Sequence, residues 1–133
     1  DYSFIRQREG SSRVYDDVRE LSPDGLYSAN ISFDYGYNSV VVSDMVTGNE
    51  IIKIGGYNTA FAFSPDSKMI AVSLFTTYSN VVSIYGLPEG NELFSTGSYF
   101  CEGDYAPKVA FSPDGKYVAI LPLYGYPQIW GIP

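Results

Sequence analysis

Apolar and polar residues alternate along most of the chain, and clusters of Gly, Pro, Asn and Asp interrupt the alternation at short intervals. A period of two predicts β-strands that are buried on one face, and turn residues every 8–12 residues or so are typical of an all-β fold. No segment has the spacing of an amphipathic helix. The predicted strands cover residues 2–7, 14–21, 26–33, 39–45, 50–54, 59–63, 68–75, 81–85, 92–95, 108–111, 116–122 and 128–132.

A turn motif recurs three times at nearly constant spacing. Residues 22–25 and 112–115 read Ser-Pro-Asp-Gly, and residues 64–67 read Ser-Pro-Asp-Ser. Proline at the second turn position presets φ, the Ser and Asp side chains can bond back to the backbone, and Gly tolerates a positive φ. Each copy lies between two apolar strands, so the chain is a threefold internal repeat.

The third copy carries a resemblance to a known family. Residues 111–119, Phe-Ser-Pro-Asp-Gly-Lys-Tyr-Val-Ala, with Ile129 and Trp130, resemble a blade of the WD-repeat β-propellers. A repeat of this length with four strands per unit is typical of such blades. The resemblance covers residues 14–133 and implies an all-β fold of three WD-like, four-stranded antiparallel β-propeller blades.

The chain departs from the family pattern in two respects. The position of the blade Trp is occupied by Ser43, Tyr85 and Trp130 in the three repeats, and the chain contains no His. The family's buried His-to-Asp hydrogen-bond network is therefore absent. We expect apolar packing between blades to supply most of the stability.

The resemblance also suggests how the chain is divided. With the innermost strand of a blade lettered a and the outermost d, the predicted strands read d, abcd, abcd, abc. In whole propellers of this family such an offset lets the N-terminal strand complete the last blade. The sequence therefore predicts one three-blade unit over residues 1–133, divided into a latch strand at 1–13 and blades at 14–54, 55–97 and 98–133, the last without its own outer strand.

Three blades leave a strand edge and a blade face uncovered, which favours association. The predicted function is that of a non-enzymatic, self-assembling structural or interaction protein, in which the N-terminal strand of one copy pairs with the last strand of the next. Such head-to-tail contacts build a ring or a filament. The alternative is a fragment of a larger WD-repeat interaction scaffold, completed by missing blades or a partner. The predicted assembly residues are Tyr2, Phe4, Ile5, Gln128, Ile129, Trp130 and Ile132.

The composition and charge of the chain argue against some kinds of binding partner. The chain is 45% hydrophobic and 17% charged, with a net charge of −7. An acidic chain without a basic patch argues against nucleic acid, which requires clustered Lys and Arg. No apolar run is long enough to span a bilayer, so no membrane insertion is expected. The expected partners are other copies of the chain or other proteins.

Tyrosine is unusually abundant, with 13 residues. In the predicted topology many of them fall in loops at one rim of the blades, where aromatic rings with a polar tip suit protein or glycan binding. A third candidate function is therefore a ligand-binding rim. The alternative is that these rings pack against their own hairpins. The candidate rim residues are Tyr35, Tyr37, Tyr57, Tyr78, Tyr99, Tyr105, Tyr124 and Tyr126.

Catalytic and metal-binding motifs are missing from the sequence. Without His, a Ser-His-Asp or Cys-His arrangement is impossible, and the single Cys101 has no His to activate it. No Cys or His cluster and no acidic loop has metal-ligand spacing. The sequence therefore predicts that the protein is not an enzyme and has no catalytic residue, metal or cofactor.

Overall fold

A computed structural model describes residues 19–34, 37–56, 58–75, 80–96, 107–122 and 126–133. These residues form eleven β-strands arranged in three antiparallel sheets, and none of them is helical. Within these ranges there is accordingly no helix of the length and apolarity needed to cross a membrane. The all-β prediction is confirmed.

Consecutive strands are neighbours in every sheet. Sheet 1 has the order β1 (Arg19–Leu21), β2 (Tyr27–Asp34), β3 (Tyr37–Asp44) and β4 (Glu50–Gly56). Sheet 2 has the order β5 (Asn58–Phe63), β6 (Met69–Phe75), β7 (Asn80–Gly86) and β8 (Glu92–Ser95). Sheet 3 contains β9 (Lys108–Phe111), β10 (Tyr117–Leu121) and β11 (Gln128–Gly131). The predicted strand at residues 2–7 lies outside the described residues, and the proposed division into a latch and three blades stays a prediction.

The turn between the first two strands of each sheet is held by its Ser and Asp side chains. In sheet 1 the Ser22 hydroxyl donates to Asp24 Oδ1 at 2.7 Å, and the same oxygen accepts the Leu26 N–H at 3.0 Å. The Ser22 hydroxyl oxygen in turn accepts the Tyr27 N–H at 3.0 Å. Sheets 2 and 3 repeat all three bonds at the equivalent residues.

These bonds lower the pKa of all three turn carboxyls, Asp24, Asp66 and Asp114. The main cause in each turn is the Ser hydroxyl, followed by the backbone N–H two residues after the Asp. Hydrogen bonds to the charged form favour ionisation. Hydrogen bonds within each turn explain the lowered pKa values, so the three aspartates have a structural role.

Two hydrophobic clusters join the sheets in chain order. One lies between sheets 1 and 2 and includes Val40, Val42, Ile70 and Val72, which are fully buried. The other lies between sheets 2 and 3, where Ala71 and Ile84 contact Val118. Burying one such aliphatic side chain contributes about 1.5–3 kcal/mol. The two clusters agree with the expectation that packing between repeats stabilises the fold.

Candidate interaction surfaces

One cross-strand pair recurs at the same place in all three sheets. It joins a small residue of the second strand to an aliphatic residue of the third. The three pairs are Ala29 with Val42, Ala71 with Ile84, and Ala119 with Ile129. All four residues of the first two pairs are completely buried, whereas Ile129 is 73% exposed. We call the side of each sheet that carries this pair its receiving face.

The opposite side of each sheet packs on the sheet before it, and we call this side the covering face. In sheet 2 the cross-strand pair of Ile70 and Tyr85 packs into the cluster formed with sheet 1. In sheet 3 the equivalent pair of Val118 and Trp130 packs against sheet 2. The Trp130 ring lies 5.8 Å from the Phe94 ring, centroid to centroid. An aliphatic–aromatic pair therefore covers the preceding Ala–aliphatic pair at both interfaces.

The receiving face of sheet 3 is exposed and mainly apolar. Besides Ile129, it presents Tyr117 at 48% exposure, Leu121 at 42%, and the exposed Ala110. Lys108, which pairs with Leu121, is the charged residue on this side of β9. Contiguous exposed apolar surface of this kind marks interaction sites. Sequence reasoning named only Ile129 here, although the repeated Ala–aliphatic pairing was a signal for the rest of the face.

The covering face of sheet 1 has a different chemistry. The position of the aliphatic–aromatic pair is occupied by Ser28 and Ser43, which are cross-strand partners. Asn30 and Arg19, themselves paired, extend the same side of the sheet. A cleft of about 390 Å³ at this sheet is lined by apolar as well as polar residues, with Leu21 and Met45 beside Arg19, Ser28 and Asn30. The two outer faces of the three-sheet array therefore carry different cross-strand pairs, Ser28 with Ser43 in sheet 1 and Ala119 with Ile129 in sheet 3.

Sheet 3 also differs from the other sheets at its outer edge. In sheets 1 and 2 a fourth strand pairs with the third, whereas β11 is the outermost described strand of sheet 3. In sheet 2 the Val82 N–H donates to Thr96 Oγ1 beyond the end of β8. The equivalent residue of sheet 3 is Pro127, which has no N–H. Pairing along the outer side of β11 is therefore confined to a short stretch, as is common for protected edge strands.

The predicted assembly residues of β11 have different surroundings. Gln128 and Ile129 are exposed. Trp130 and Ile132 are half-buried, and both side chains pack on sheet 2. The Trp130 indole Nε1–H also donates to Gln128 Oε1 at 3.1 Å. Only the backbone of Trp130 is thus placed at the edge. The other predicted assembly residues, Tyr2, Phe4 and Ile5, lie outside the described residues.

Two of the eight candidate rim tyrosines are described. Tyr37 begins β3 and is 54% exposed, and Tyr126 precedes β11 and is 90% exposed. Phe33 was not among the predicted rim residues, but it is 43% exposed and lies near Tyr37 in the same hairpin. A ligand-binding rim stays a prediction. The candidates outside the described residues are Tyr35, Tyr57, Tyr78, Tyr99, Tyr105 and Tyr124.

Metal ligands are not brought together in the part of the chain that the structure describes. No group of three or more His, Cys, Asp or Glu side chains there could hold an ion. Asp24, Asp66 and Asp114 are each tied to their own turn.

Solved structures with the same architecture identify the fold. The chain is similar to TolB from Acinetobacter baumannii, with a TM-score of 0.57 and 23% identity over 86% of this chain and 29% of that one. It is similar to a eukaryotic initiation factor, with a TM-score of 0.62 and 16% identity over 86% and 29%. A putative 6-phosphogluconolactonase from Bacteroides fragilis NCTC 9343 gives 0.60 and 17% over 86% and 34%. No protein-family model and no curated protein matches the sequence.

The last of these structures corrects one prediction. The chain was expected not to be an enzyme, but it shares its architecture with a protein described as a lactonase. The prediction that the protein is not an enzyme is therefore wrong, because proteins with this fold include one described as a lactonase. At 17% identity the likeness reaches the fold alone, and no enzymatic activity of this chain follows from it.

The comparisons and the sheets agree on the architecture. The three antiparallel sheets, packed face to face in chain order, are β-propeller-type blades. The chain spans about a third of the length of the solved structures that it resembles. Membership of the WD-repeat family itself stays a prediction. The conclusion from the comparisons is one of fold: the chain is an array of β-propeller blades.

Proposed function

We propose that the chain is a protein-interaction scaffold that recruits another polypeptide by β-strand addition at the outer edge of sheet 3. The observation that carries the proposal is the strand count of the described residues, which is four in sheets 1 and 2 and three in sheet 3. An added strand binds through main-chain hydrogen bonds, and side chains at alternate positions supply the specificity.

Sheets 1 and 2 indicate how the added strand would pair. β4 pairs with β3, and β8 pairs with β7, with a shift of register at Val42/Ser43 and Ile84/Tyr85. The equivalent point in β11 falls between Ile129 and Trp130. Because Pro127 has no N–H, the pairing would be confined to β11 itself, and a partner would bind more tightly if it also used a side-chain surface.

Residues 2–7 of a second copy are the proposed donor, and exchange of this strand would make the scaffold self-assembling. Residues 8–18 lie between the donor and β1, and fully extended they reach at most roughly 40 Å. The donating copy can therefore bind by its strand without stacking its sheet 1 on the recipient. Head-to-tail exchange of this kind closes into a ring or continues as a filament.

The test is the mass of the native particle, measured by light scattering over a range of concentrations. We expect multiples of 14.7 kDa, and a monomer after removal of residues 2–7. The matched control is Val46→Ser, which removes an apolar side chain that is 81% exposed in the turn between β3 and β4 and should leave the mass unchanged. A wild-type monomer at every concentration, or a multimer that survives the deletion, would contradict strand exchange.

A titration tests the edge directly. A synthetic peptide of residues 1–13 is added to the chain that lacks residues 2–7, and the fluorescence of Trp130, the single tryptophan, is followed. We expect saturable binding, because strand pairing at β11 changes the surroundings of the half-buried indole. The same peptide with Ile5→Pro should bind less well, since proline removes a donor from the added strand. Equal binding of the two peptides would argue against main-chain pairing.

A further inference from the structure

We propose that a single internal water molecule binds between sheets 2 and 3, held by the side chains of Asn80 and Ser73, and that it is part of the interface joining the two sheets. Both residues are completely buried. The site lies in the interior of the array. The proposal therefore goes beyond strand addition at the edge of β11 and does not depend on it.

The polar atoms of these two side chains lack partners. Asn80 Nδ2, Asn80 Oδ1 and the Ser73 hydroxyl oxygen have no hydrogen-bond partner among the residues that the structure describes. Removing such groups from water without a partner is unfavourable, and buried polar groups of folded proteins are almost always paired. Several unpaired buried atoms at one place therefore point to a bound polar molecule.

The strand register brings the two side chains to one face of sheet 2. Ser73 pairs with Val82, and Phe75 pairs with Asn80. Asn80 is therefore the diagonal neighbour of Ser73 on the adjacent strand. Both lie on the receiving face, because Ser73 is two residues from Ala71 and side chains alternate between the faces of a strand. Diagonal neighbours have Cβ atoms roughly 7 Å apart, a distance that a bridging water can span.

The hydrogen-bonding groups match one water molecule. A primary amide presents an N–H beside its carbonyl oxygen, so a single water can accept from Asn80 Nδ2 and donate to Asn80 Oδ1. The second hydrogen of this water is then available to the Ser73 hydroxyl oxygen. Internal waters typically make about three hydrogen bonds to otherwise unpaired buried groups. One water therefore satisfies all of the unpaired atoms of the site.

Apolar residues surround the site. Val82, the cross-strand partner of Ser73, is completely buried. Ile120 is also completely buried, and it lies on the covering face of sheet 3, two residues from Val118. These side chains have no hydrogen-bonding group to offer. Because no surface of Asn80 or Ser73 is exposed, the site suits a molecule of the size of water better than a larger ligand.

Comparison with sheet 1 indicates what makes room for a water. Counted from the recurring Ala–aliphatic pair, the equivalents of Ser73 and Asn80 are Ile31 and Asn38. Ile31 packs into the hydrophobic cluster between sheets 1 and 2. Ser73 has a smaller side chain at the same position, and it adds a second polar group beside the asparagine. The asparagine is thus common to both sheets, and the serine makes the site.

The test counts long-lived internal waters in the full chain by magnetic relaxation dispersion of the water oxygen. Ser73→Ile introduces the residue type of sheet 1, and Asn80→Leu removes the amide. Each should lower the count by about one water. The matched control is Ser83→Ala, which removes a hydroxyl that is 4% exposed and lies 3.4 Å from Ser95 Oγ. An unchanged count in both site variants, or an equal loss in the control, would overturn the proposal.

A second measurement needs no substitution, so it decides the matter even if the site variants do not fold. A high-resolution crystal structure of the full chain should show a water oxygen about 2.7–3.2 Å from Asn80 Nδ2, Asn80 Oδ1 and Ser73 Oγ. A protein group in hydrogen-bond contact with these atoms in place of the water would overturn the proposal. An empty site, or electron density for a larger ligand, would do so as well.

Discussion

The main-chain N–H of Asp24 donates a hydrogen bond to the hydroxyl oxygen of Ser67, 43 residues further along the chain, at 3.0 Å. The two residues belong to equivalent turns of sheets 1 and 2. Ser67 has a φ of 62° and takes the place that Gly25 and Gly115 take in the other two turns. A left-handed serine is strained, and here its side chain links two neighbouring sheets. The departure from Ser-Pro-Asp-Gly in the second repeat therefore has a structural function.

This link leads to a prediction about two substitutions of one residue. Ser67→Ala keeps the strained backbone and removes the acceptor of the Asp24 N–H, so we expect a loss of about 1–2 kcal/mol in the free energy of unfolding. Ser67→Gly also removes the bond but relieves strain on the order of 1 kcal/mol, so it should be nearly neutral. Urea denaturation of both variants makes the comparison. A neutral Ser67→Ala would show that the bond contributes nothing.

Substitutions at two turn glycines distinguish the energetic cost of backbone strain from the cost of crowding a neighbouring sheet. Gly48 and Gly90 have almost the same φ, 76° and 77°. A Cβ at Gly48 would meet nothing within 4 Å, whereas one at Gly90 would lie 3.0 Å from Ile51 Cγ2 and 3.2 Å from Ile52 Cγ1. We expect Gly90→Ala to cost about 1–3 kcal/mol more than Gly48→Ala, because Ala at 90 also crowds sheet 1. Thermal unfolding of the pair measures the difference, and equal costs would mean that the turn moves away freely.

Equivalent isoleucines of sheets 2 and 3 should respond differently to truncation. Ile84 is completely buried and Ile129 is 73% exposed, although both are paired with an alanine in the same register. Ile84→Ala should lower the free energy of unfolding by about 2–5 kcal/mol. Ile129→Ala should change it by less than about 0.5 kcal/mol. Urea denaturation gives both values, and a large effect at 129 would show that the receiving face of sheet 3 is buried in solution.

The turn aspartates predict acid sensitivity. The Ser64 hydroxyl, with the backbone N–H of Lys68, holds the pKa of Asp66 below its ordinary value of 3.8. A carboxyl whose pKa is lower in the folded state adds stability that is complete above the unfolded pKa, and this stability is lost as pH falls through the folded pKa. We expect the urea midpoint to fall between about pH 5 and pH 2, and to fall less in Asp66→Asn.

Removing the hydroxyl that donates to Asp66 provides a control for this pH effect. Ser64→Ala removes the largest cause of the lowered pKa of Asp66 and should also weaken the pH dependence, even though the carboxyl is still present. The comparison is made between slopes of stability against pH, since both variants are expected to be less stable at neutral pH. Slopes equal to that of the wild type in both variants would contradict the assignment.

Much of the architecture was predictable because its signals are local. The Ser-Pro-Asp turns at 22, 64 and 112 mark the first hairpin of each sheet, and the period-two pattern placed every described strand. Bounds differ by a few residues: β3 begins at Tyr37 where residue 39 was predicted, since Asp34 and Tyr37 continue the pairing of the hairpin. Pairing of this kind depends on the partner strand and leaves no mark in the pattern of one strand.

The interaction surfaces were less predictable, because they depend on contacts between repeats. Trp130 was predicted as an assembly residue, but its side chain packs on sheet 2 and only its backbone reaches the edge. The serine pair on the covering face of sheet 1 was partly visible in the sequence as Ser43 in place of Tyr85 and Trp130. Its meaning became clear only when the register placed Ser28 opposite Ser43. The role of Ser67 was hidden for the same reason, since its partner is 43 residues away.

The order of the described sheets in space is also the order in which they are synthesised. Sheet 1 precedes sheet 2 in the chain, and sheet 2 precedes sheet 3. Each later sheet then brings an apolar covering face to a receiving face that is already complete. Every step joins segments adjacent in sequence, which keeps the cost of loop closure low. Synthesis from the N-terminus therefore lets the receiving faces of sheets 1 and 2 be covered, one after the other, by the sheet that follows each of them in the chain.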